Sequence, residues 1–262
     1  MNKIFIIKIG GNVLDNEEAL NKFLRDFSGI KEPKILIHGG GKIASRIGDQ
    51  LGIASQYVNG RRITDAQTMD LVTMVYGGLV NKQIVAALQQ LGCNALGLTG
   101  ADGNVIKAVK RPVKETDYGF VGDISPDNVN TIWLHTLLKQ NIVPVFAPLT
   151  HADGSMLNTN ADTIASVLAV ALSKYSDVRL IYCFEKKGIL RDVNDLNSVI
   201  HHLPKNLYQE LLAKKALMDG ILPKLENAYA AIQAGVREVL IGEAGDLIKN
   251  MGQETEGTLI TA

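Results

Sequence analysis

The sequence predicts a layered α/β fold, on three observations. Several short runs rich in β-branched residues are almost continuously apolar, as strands buried on both faces of a parallel sheet must be. Longer amphipathic segments alternate with them along the chain, the order expected of helices packed on such a sheet. Two of the strands run straight into glycine clusters, Gly10-Gly11 and Gly39-Gly40-Gly41, where a strand-to-helix turn leaves backbone N–H groups bare.

The elements follow in order. Residues 4–9 form the first strand and carry Lys8 next to the end. A helix over 17–27 comes next, with Asp15 and Glu18 spaced as a capping box. Residues 35–38 make a strand that enters the triple glycine, and a helix over 42–51 leaves it. A long helix spans 68–91 and is capped by Gly92. Residues 95–98 make a further strand. Residues 105–120 alternate polar and apolar between Asp102-Gly103 and Tyr118-Gly119 and read as hairpins, an antiparallel excursion in the first half of the sheet. A helix over 131–140, a strand over 142–147, a hairpin-like Asp153-Gly154-Ser155 and a helix over 159–172 follow. The remainder holds strands at 178–183 and 236–241 and helices at 207–215 and 222–234, the last capped by Gly235. There is no repeat, low-complexity tract or Pro/Ser linker. The chain reads as one domain, 1–262, with a soft boundary near 173–177 between an N-terminal lobe of about 1–173 and a C-terminal lobe of about 174–262.

Bulk properties narrow the function. Of 262 residues, 46% are apolar, ample for a large core. Lys plus Arg equals Asp plus Glu, at 27 each, which argues against nucleic-acid binding or a polybasic membrane surface; any affinity for anions must be local. Cys93 and Cys183 lie in apolar runs and read as buried thiols of a reducing compartment. The N-terminus lacks a signal-peptide pattern, and apolar stretches such as 165–172 fall short of the ~20 residues of a membrane span. A cytoplasmic protein without membrane attachment is expected.

The usual nucleotide motifs fail. Gly41-Lys42 is followed by Ile43, so no Walker pattern exists, and Lys42-Ile43-Ala44 breaks the dinucleotide fingerprint. Anion chemistry remains. Three glycines exceed what a turn needs and suit a phosphate or carboxylate at a helix N-terminus; Gly10-Gly11 alone reads equally as a plain turn. Lys8 is either a buried ammonium that needs an anionic partner or an edge lysine that snorkels. Asn158 and Asp162 fall at the start of a helix, where Asp162 serves as Lys8's partner or as a simple first-turn acid. Arg62 is either a carboxylate clamp or half of a solvated arginine pair with Arg61. The five histidines show no metal-ligand spacing and read as structural or exposed, with His38 placed to orient the glycines.

Taken in order, Ile7-Lys8-Ile9-Gly10-Gly11, His38-Gly39-Gly40-Gly41, Asn59-Gly60-Arg61-Arg62-Ile63-Thr64, Asn81-Lys82, Asn158-Thr159-Asn160-Ala161-Asp162, Gly188-Ile189-Leu190, Asp219-Gly220-Ile221-Leu222-Pro223-Lys224 and Gly257-Thr258 resemble the amino-acid kinase family over almost the whole chain. The resemblance implies a three-layer αβα sandwich on a mainly parallel sheet of about eight strands. It implies an N-terminal lobe for the amino acid and a C-terminal lobe for ATP. The expected reaction is phosphorylation of the side-chain carboxylate of N-acetyl-L-glutamate to N-acetyl-L-glutamyl 5-phosphate in arginine biosynthesis, with N-succinylglutamate or another substrate of the family as the alternative. By the same resemblance Gly40, Gly41, Arg62 and Asn158 hold the substrate. Lys8 and Lys224 flank the transferred phosphoryl group, Asp162 orients both, and Gly11 completes the catalytic set. Gly10, Gly11, Glu185, Gly188, Ile189, Leu190, Leu217, Met218 and Lys224 meet the nucleotide. ATP and Mg²⁺ are the implied cofactors, the metal being carried by ATP rather than by a protein cage. The physics agrees: a glutamate side chain, with a reference pKa of about 4.3, is ionised at neutral pH and needs no general base. Donors that offset its repulsion from the polyphosphate are what the site must supply.

The chain departs from the family pattern at 182–188, Tyr-Cys-Phe-Glu-Lys-Lys-Gly, where an aspartate-containing run is common, and at Pro223 before Lys224. Residues 69–82, with Tyr76-Gly77-Gly78, are expected to shape the acyl pocket. Arginine-inhibited members have an extra N-terminal helix; with its first strand at Lys3, this chain is expected to be a homodimer without that feedback. The helix at 68–91 offers Leu71, Met74 and Val75 to a dimer face or to the core. Rival readings are a sibling kinase acting on aspartate, free glutamate, carbamate or UMP, and a silent amino-acid sensor. Retention of Lys8, Asp162 and Lys224 together argues against the sensor.

Overall fold

The computed structural model describes residues 3–192, 195, 197–214 and 222–262. The chain opens with β1 (Lys3–Ile9), α1 (Gly11–Asp15), α2 (Glu17–Gly29), β2 (Lys34–His38) and α3 (Gly41–Gln50). A small hairpin, β3 (Tyr57–Val58) and β4 (Arg61–Arg62), leads into α4 (Ala66–Val72), a π-helical stretch Thr73–Val80, and α5 (Asn81–Gln90). Then come β5 (Ala95–Leu98), β6 (Val109–Lys110), β7 (Gly122–Asp123), α6 (Thr131–Lys139), β8 (Val143–Phe146), the hairpin β9 (Leu149–Ala152) and β10 (Ser155–Asn158), and α7 (Ala161–Ser173). The chain finishes with β11 (Asp177–Phe184), β12 (His202–Pro204), α8 (Lys205–Ala213), α9 (Leu222–Gln233), β13 (Glu238–Glu243) and β14 (Thr258–Thr261).

Eight strands form one sheet in the order β12-β14-β13-β11-β1-β2-β8-β5. The six from β13 to β5 run parallel; β14 pairs antiparallel with β13, and β12 runs with β14. The period-2 geometry of a strand sorts the core into two layers. Ile4 and Ile6 of β1 face a cluster built with α6, α7 and α9, whereas Phe5, Ile7 and Ile9 face one built with α1 to α5. The molecule is therefore a three-layer sandwich with a mainly parallel sheet, as expected from the sequence. Lys8 falls on the α7–α9 face.

Some expectations need correction. The cap of α2 is Asn16, whose side chain accepts from Ala19 N–H at 3.0 Å. Asp15 instead ends α1, a short helix that the sequence reading passed over, and its carboxylate lies 3.6 Å from Lys42 Nζ. The hairpin in the 105–123 region, β6 with β7, is a separate two-stranded ribbon and not part of the main sheet; the antiparallel excursion lies at the other edge, in β14 and β12. The helix expected at 68–91 runs from Ala66 to Gln90, long and apolar enough by length and composition alone to cross a membrane, although polar residues such as Asp70, Asn81 and Lys82 interrupt its apolar runs. It packs on the sheet through Leu71, Val72, Val75, Ile84 and Leu88. Leu71 and Val75 are thereby core residues, and of the three positions offered to a dimer face only Met74 is exposed. Gly92 and Gly235 do adopt positive φ, 73° and 108°, as C-terminal caps require.

Candidate active site

The site gathers at the C-terminal ends of the parallel strands, where open α/β sheets place their ligands. Lys8 lies in register between Ile37 of β2 and Tyr182 of β11. It is 7% exposed, so its charge needs compensation. Its Nζ lies 2.8 Å from Asp162 Oδ1, in the first turn of α7, which Asn160 caps by accepting from Thr163 N–H at 3.1 Å. The contact is an ion pair without the alignment of a hydrogen bond, since the buried Oδ1 has no directed donor. Tyr182 OH donates to the Asp162 carbonyl at 3.3 Å, and burial, reinforced by the Asp162 charge, pushes that phenol far above its ordinary range.

Lys224, in the first turn of α9, comes to the same place. Burial lowers its pKa; Asp162 opposes that shift, Lys8 adds to it, and Glu185 opposes it. Its Nζ sits 3.5 Å from the centroid of the Phe184 ring, and Lys8 Nζ is 5.6 Å from that centroid. Among the described residues, two ammonium groups from distant parts of the chain thus meet around Asp162 and the Phe184 ring, with Glu185 acting on Lys224 as well.

Beside this junction is a cavity of about 220 Å³ lined by Gly39–Gly41, Tyr57, Arg62, Tyr76, Arg111 and residues 158–161, among others. Gly40 has φ +153°, and a Cβ there would stand 2.9 Å from Tyr76 Cδ1, so glycine is required by conformation and by space. Arg62 is 7% exposed. Its guanidinium donates to Ser55 Oγ, to the Gly41 carbonyl at 2.9 Å and to Ser45 Oγ at 2.9 Å, and lies over the Tyr57 ring. All these acceptors are neutral, which leaves a buried cation with an electrostatic preference for an anion. The neighbouring Tyr76 phenol is raised by burial against the pull of Arg62. Asn158 Nδ2 donates to Thr64 Oγ1 at 3.0 Å.

The glycine turn is braced from behind. His38 is fully buried; its Nδ1 lies 2.7 Å from the Gly39 carbonyl and its Nε2 3.1 Å from Asn81 Nδ2. Those partners assign the proton to Nδ1, and burial lowers the pKa to about 4, so the ring is neutral. Asn81 also donates to the Val145 carbonyl at 2.9 Å. A buried network with every member paired is rigid.

On the far side, Glu185 is exposed and Gly188 is buried. A Cβ on Gly188 would meet Thr258 Oγ1 at 2.7 Å. Thr258 Oγ1 accepts from Ile189 N–H at 2.8 Å, the Ile189 side chain is in the core, and Leu190 bridges to Val199. Gly10 lies beneath the Lys8 ammonium and Gly11 opens α1 against the Gly39 turn. Leu217 and Met218 lie outside the described residues.

All four residues expected to hold the substrate line the one cavity, and Lys8, Asp162 and Lys224 come together next to it. The sequence reading missed Tyr57, Arg111 and Phe184 as parts of the site. Asn59-Gly60, both with positive φ, is a hairpin signal that would have put Tyr57 opposite Arg62, its register partner. Arg111 reaches the cavity from the β6–β7 ribbon, held by Asp123 through Nε at 3.1 Å; no local pattern marks it.

The model of the amino acid kinase family matches residues 3–243. An acetylglutamate kinase of Phocaeicola vulgatus is 57% identical over 251 residues, 95% of this chain and 97% of that one. An acetylglutamate kinase of Cytophaga hutchinsonii is 54% identical over 265 residues, covering 100% of both. Among solved structures, an N-acetylglutamate synthase from Neisseria gonorrhoeae, complexed with coenzyme A and N-acetyl-glutamate, superposes with a TM-score of 0.83 at 23% identity over 99% of this chain. This chain spans 59% of that protein's length, and at such identity the likeness shows the fold alone.

Proposed function

The chain belongs to the amino acid kinase family, and we propose that it transfers the γ-phosphoryl group of ATP to the side-chain carboxylate of N-acetyl-L-glutamate. It is a phosphotransferase with a carboxyl acceptor, and its product, N-acetyl-L-glutamyl 5-phosphate, belongs to arginine biosynthesis. The observation that carries the reading is adjacency: residues 158–161 line the cavity, and the next residue, Asp162, holds Lys8. A substrate whose carboxylate is bound by Arg62 and the glycine turn thus ends at the two ammonium groups.

In this reading Arg62 and Asn158 bind the amino acid with Gly40 and Gly41. The ionised side chain attacks phosphorus directly; the new O–P bond forms as the bond to the β-phosphate oxygen breaks and ADP leaves. Lys8 and Lys224 receive the charge on the transferring oxygens. Asp162 keeps the ammonium groups apart and aimed. Gly10, Gly11, Glu185 and residues 188–190 meet the nucleotide, with Leu217 and Met218 from outside the described residues. The lobes divide accordingly, about 1–173 for the amino acid and 174–262 for ATP. Among the described residues Asp162 is the carboxylate in contact with Lys8, which fits a magnesium ion that would be held mainly by phosphate oxygens and water and would supply charge neutralisation. The reading includes a homodimer, supported by the exposed Met74 and Leu79 of the π-helical stretch and Leu96 of the edge strand β5. It also includes a cytoplasmic location, supported by two buried free thiols.

The test is ADP release with N-acetylglutamate, N-succinylglutamate, free glutamate, aspartate and carbamate, with hydroxylamine trapping of the acyl phosphate. N-acetylglutamate gives the highest kcat/KM and a trapped hydroxamate. No N-acetylglutamate-dependent ADP, or a better acceptor in the panel, overturns the assignment.

A further inference from the structure

Two like charges meet at the junction, and among the described residues Asp162 is the acid that pairs with Lys8 and acts on Lys224 most strongly. We propose that Phe184 is a positioning residue for the reaction: its ring holds both ammonium groups in place before the nucleotide arrives and releases them to it. The inference rests on the roles given above to Lys8 and Lys224.

The geometry is specific. Position 184 ends β11 and shares the parity of Tyr182, so its side chain belongs to the face that carries Lys8, α7 and α9. The ring centroid lies 3.5 Å from Lys224 Nζ and 5.6 Å from Lys8 Nζ, both within the reach of a cation–π attraction. Tyr182 stacks on the same ring at 6.1 Å with 24° between planes, and its hydroxyl ties to the Asp162 carbonyl. Ring, acid and both cations are therefore one connected set. Phe184 is only partly buried, an open position for a residue that merely fills space.

The chemistry explains why a ring suits this position. A second carboxylate would balance the charge but would compete with phosphate oxygens for the same N–H donors. An aromatic face attracts an ammonium without accepting directed hydrogen bonds, so the donors stay available. The position falls within the 182–188 run where this chain departs from the pattern it otherwise follows.

The test replaces Phe184 in the full-length protein with mono-, di-, tri- and pentafluorinated phenylalanine, which drain the ring quadrupole while keeping its shape, and with leucine. The expected result is a stepwise fall of kcat with fluorination and about a tenfold loss for Phe184→Leu, with the KM of the amino acid unchanged and melting temperatures of the fluorinated series near wild type. An independent readout is the NMR signal of the lysine ε-methylenes. Lys224 shows an upfield ring-current shift larger than that of Lys8, and Phe184→Leu removes both. A flat kcat across the series, or ε-methylenes without ring-current shifts, overturns the proposal. Lys8→Ala and Lys224→Ala separate the two levels. If they abolish turnover while fluorination changes nothing, only the role of Phe184 fails; if they retain wild-type kcat, the functional reading fails and takes this one with it.

Discussion

The two sides of the junction are built by different means. On the side proposed for the amino acid most of the lining comes from tight turns: Gly39–Gly41 between β2 and α3, the Asn59-Gly60 hairpin, and residues 158–161 between β10 and α7, with Tyr76 and Arg111 added from elsewhere. The buried Arg62 is held by three hydrogen-bonded neighbours, and His38 and Asn81 brace the glycines from within the core. On the side proposed for the nucleotide the expected contacts come from Glu185 and residues 188–190, just after β11, and from Lys224 in α9, with Leu217 and Met218 outside the described residues. The difference follows from what each ligand brings. A small amino acid offers few contacts, so its site must be preorganised to bind at all. A nucleotide carries its own polyanion and metal, and asks the protein chiefly for well-placed cations.

The largest expected effect tests whether both sides serve the chemical step. Lys8 belongs to β1 and Lys224 to α9, and Lys8→Ala or Lys224→Ala should each lower kcat by roughly 10²–10³, the usual loss of one transition-state donor. Steady-state kinetics decides it, and a near wild-type kcat in either variant removes that lysine from the reaction.

Rigidity of the amino-acid side has a pH signature. His38 is neutral in the fold, with a pKa of about 4, against about 6.5 in the unfolded chain. Above pH 6.5 the two states bind the same number of protons at this ring. As pH falls the unfolded chain takes up a proton that the native state refuses, so stability is lost, by roughly 2–3 kcal/mol at pH 4.5. His38→Gln cannot titrate. Its stability deficit relative to wild type should shrink by that amount between pH 7.5 and pH 4.5 in urea unfolding. A constant deficit would mean that the imidazole is not held neutral.

Recognition itself should divide cleanly. Arg62→Ala is expected to raise the amino-acid KM about thirtyfold, the worth of a charge-assisted hydrogen-bonded contact, with the ATP KM within twofold of wild type. An effect on ATP alone would show that the sides have been assigned in reverse.

How much of this could be read in advance follows the same division. The six parallel strands, the glycine turns and the Lys8–Asp162 pairing were legible because strand burial and turn chemistry leave local traces. The β14 and β12 edge was not, since Thr-Leu-Ile-Thr and His-Leu-Pro hold at most two aliphatic residues each and lack the apolar run that marks the central strands. The break of the 66–90 helix into a π-helical middle was hidden for a different reason: helical periodicity does not distinguish i→i+4 from i→i+5 bonding over eight residues. Phe184 and Arg111 reach the site from elements that only the tertiary fold brings near it.

The smallest effects give the sharpest comparison, because the same substitution can be made on each side. Gly40 is strained by any side chain, with φ +153° and the Tyr76 ring 2.9 Å from the added carbon. Gly188 is limited by space alone: the carbon would press on Thr258 Oγ1 at 2.7 Å, the atom that receives Ile189 N–H. Each alanine should cost about 1–2 kcal/mol locally. If the sides are independent, Gly40→Ala raises only the amino-acid KM and Gly188→Ala only the ATP KM, each by about tenfold at most. Equal changes in both constants for both variants would mean that the turns share one rigid unit across the sheet, and that the division drawn from their construction does not extend to binding.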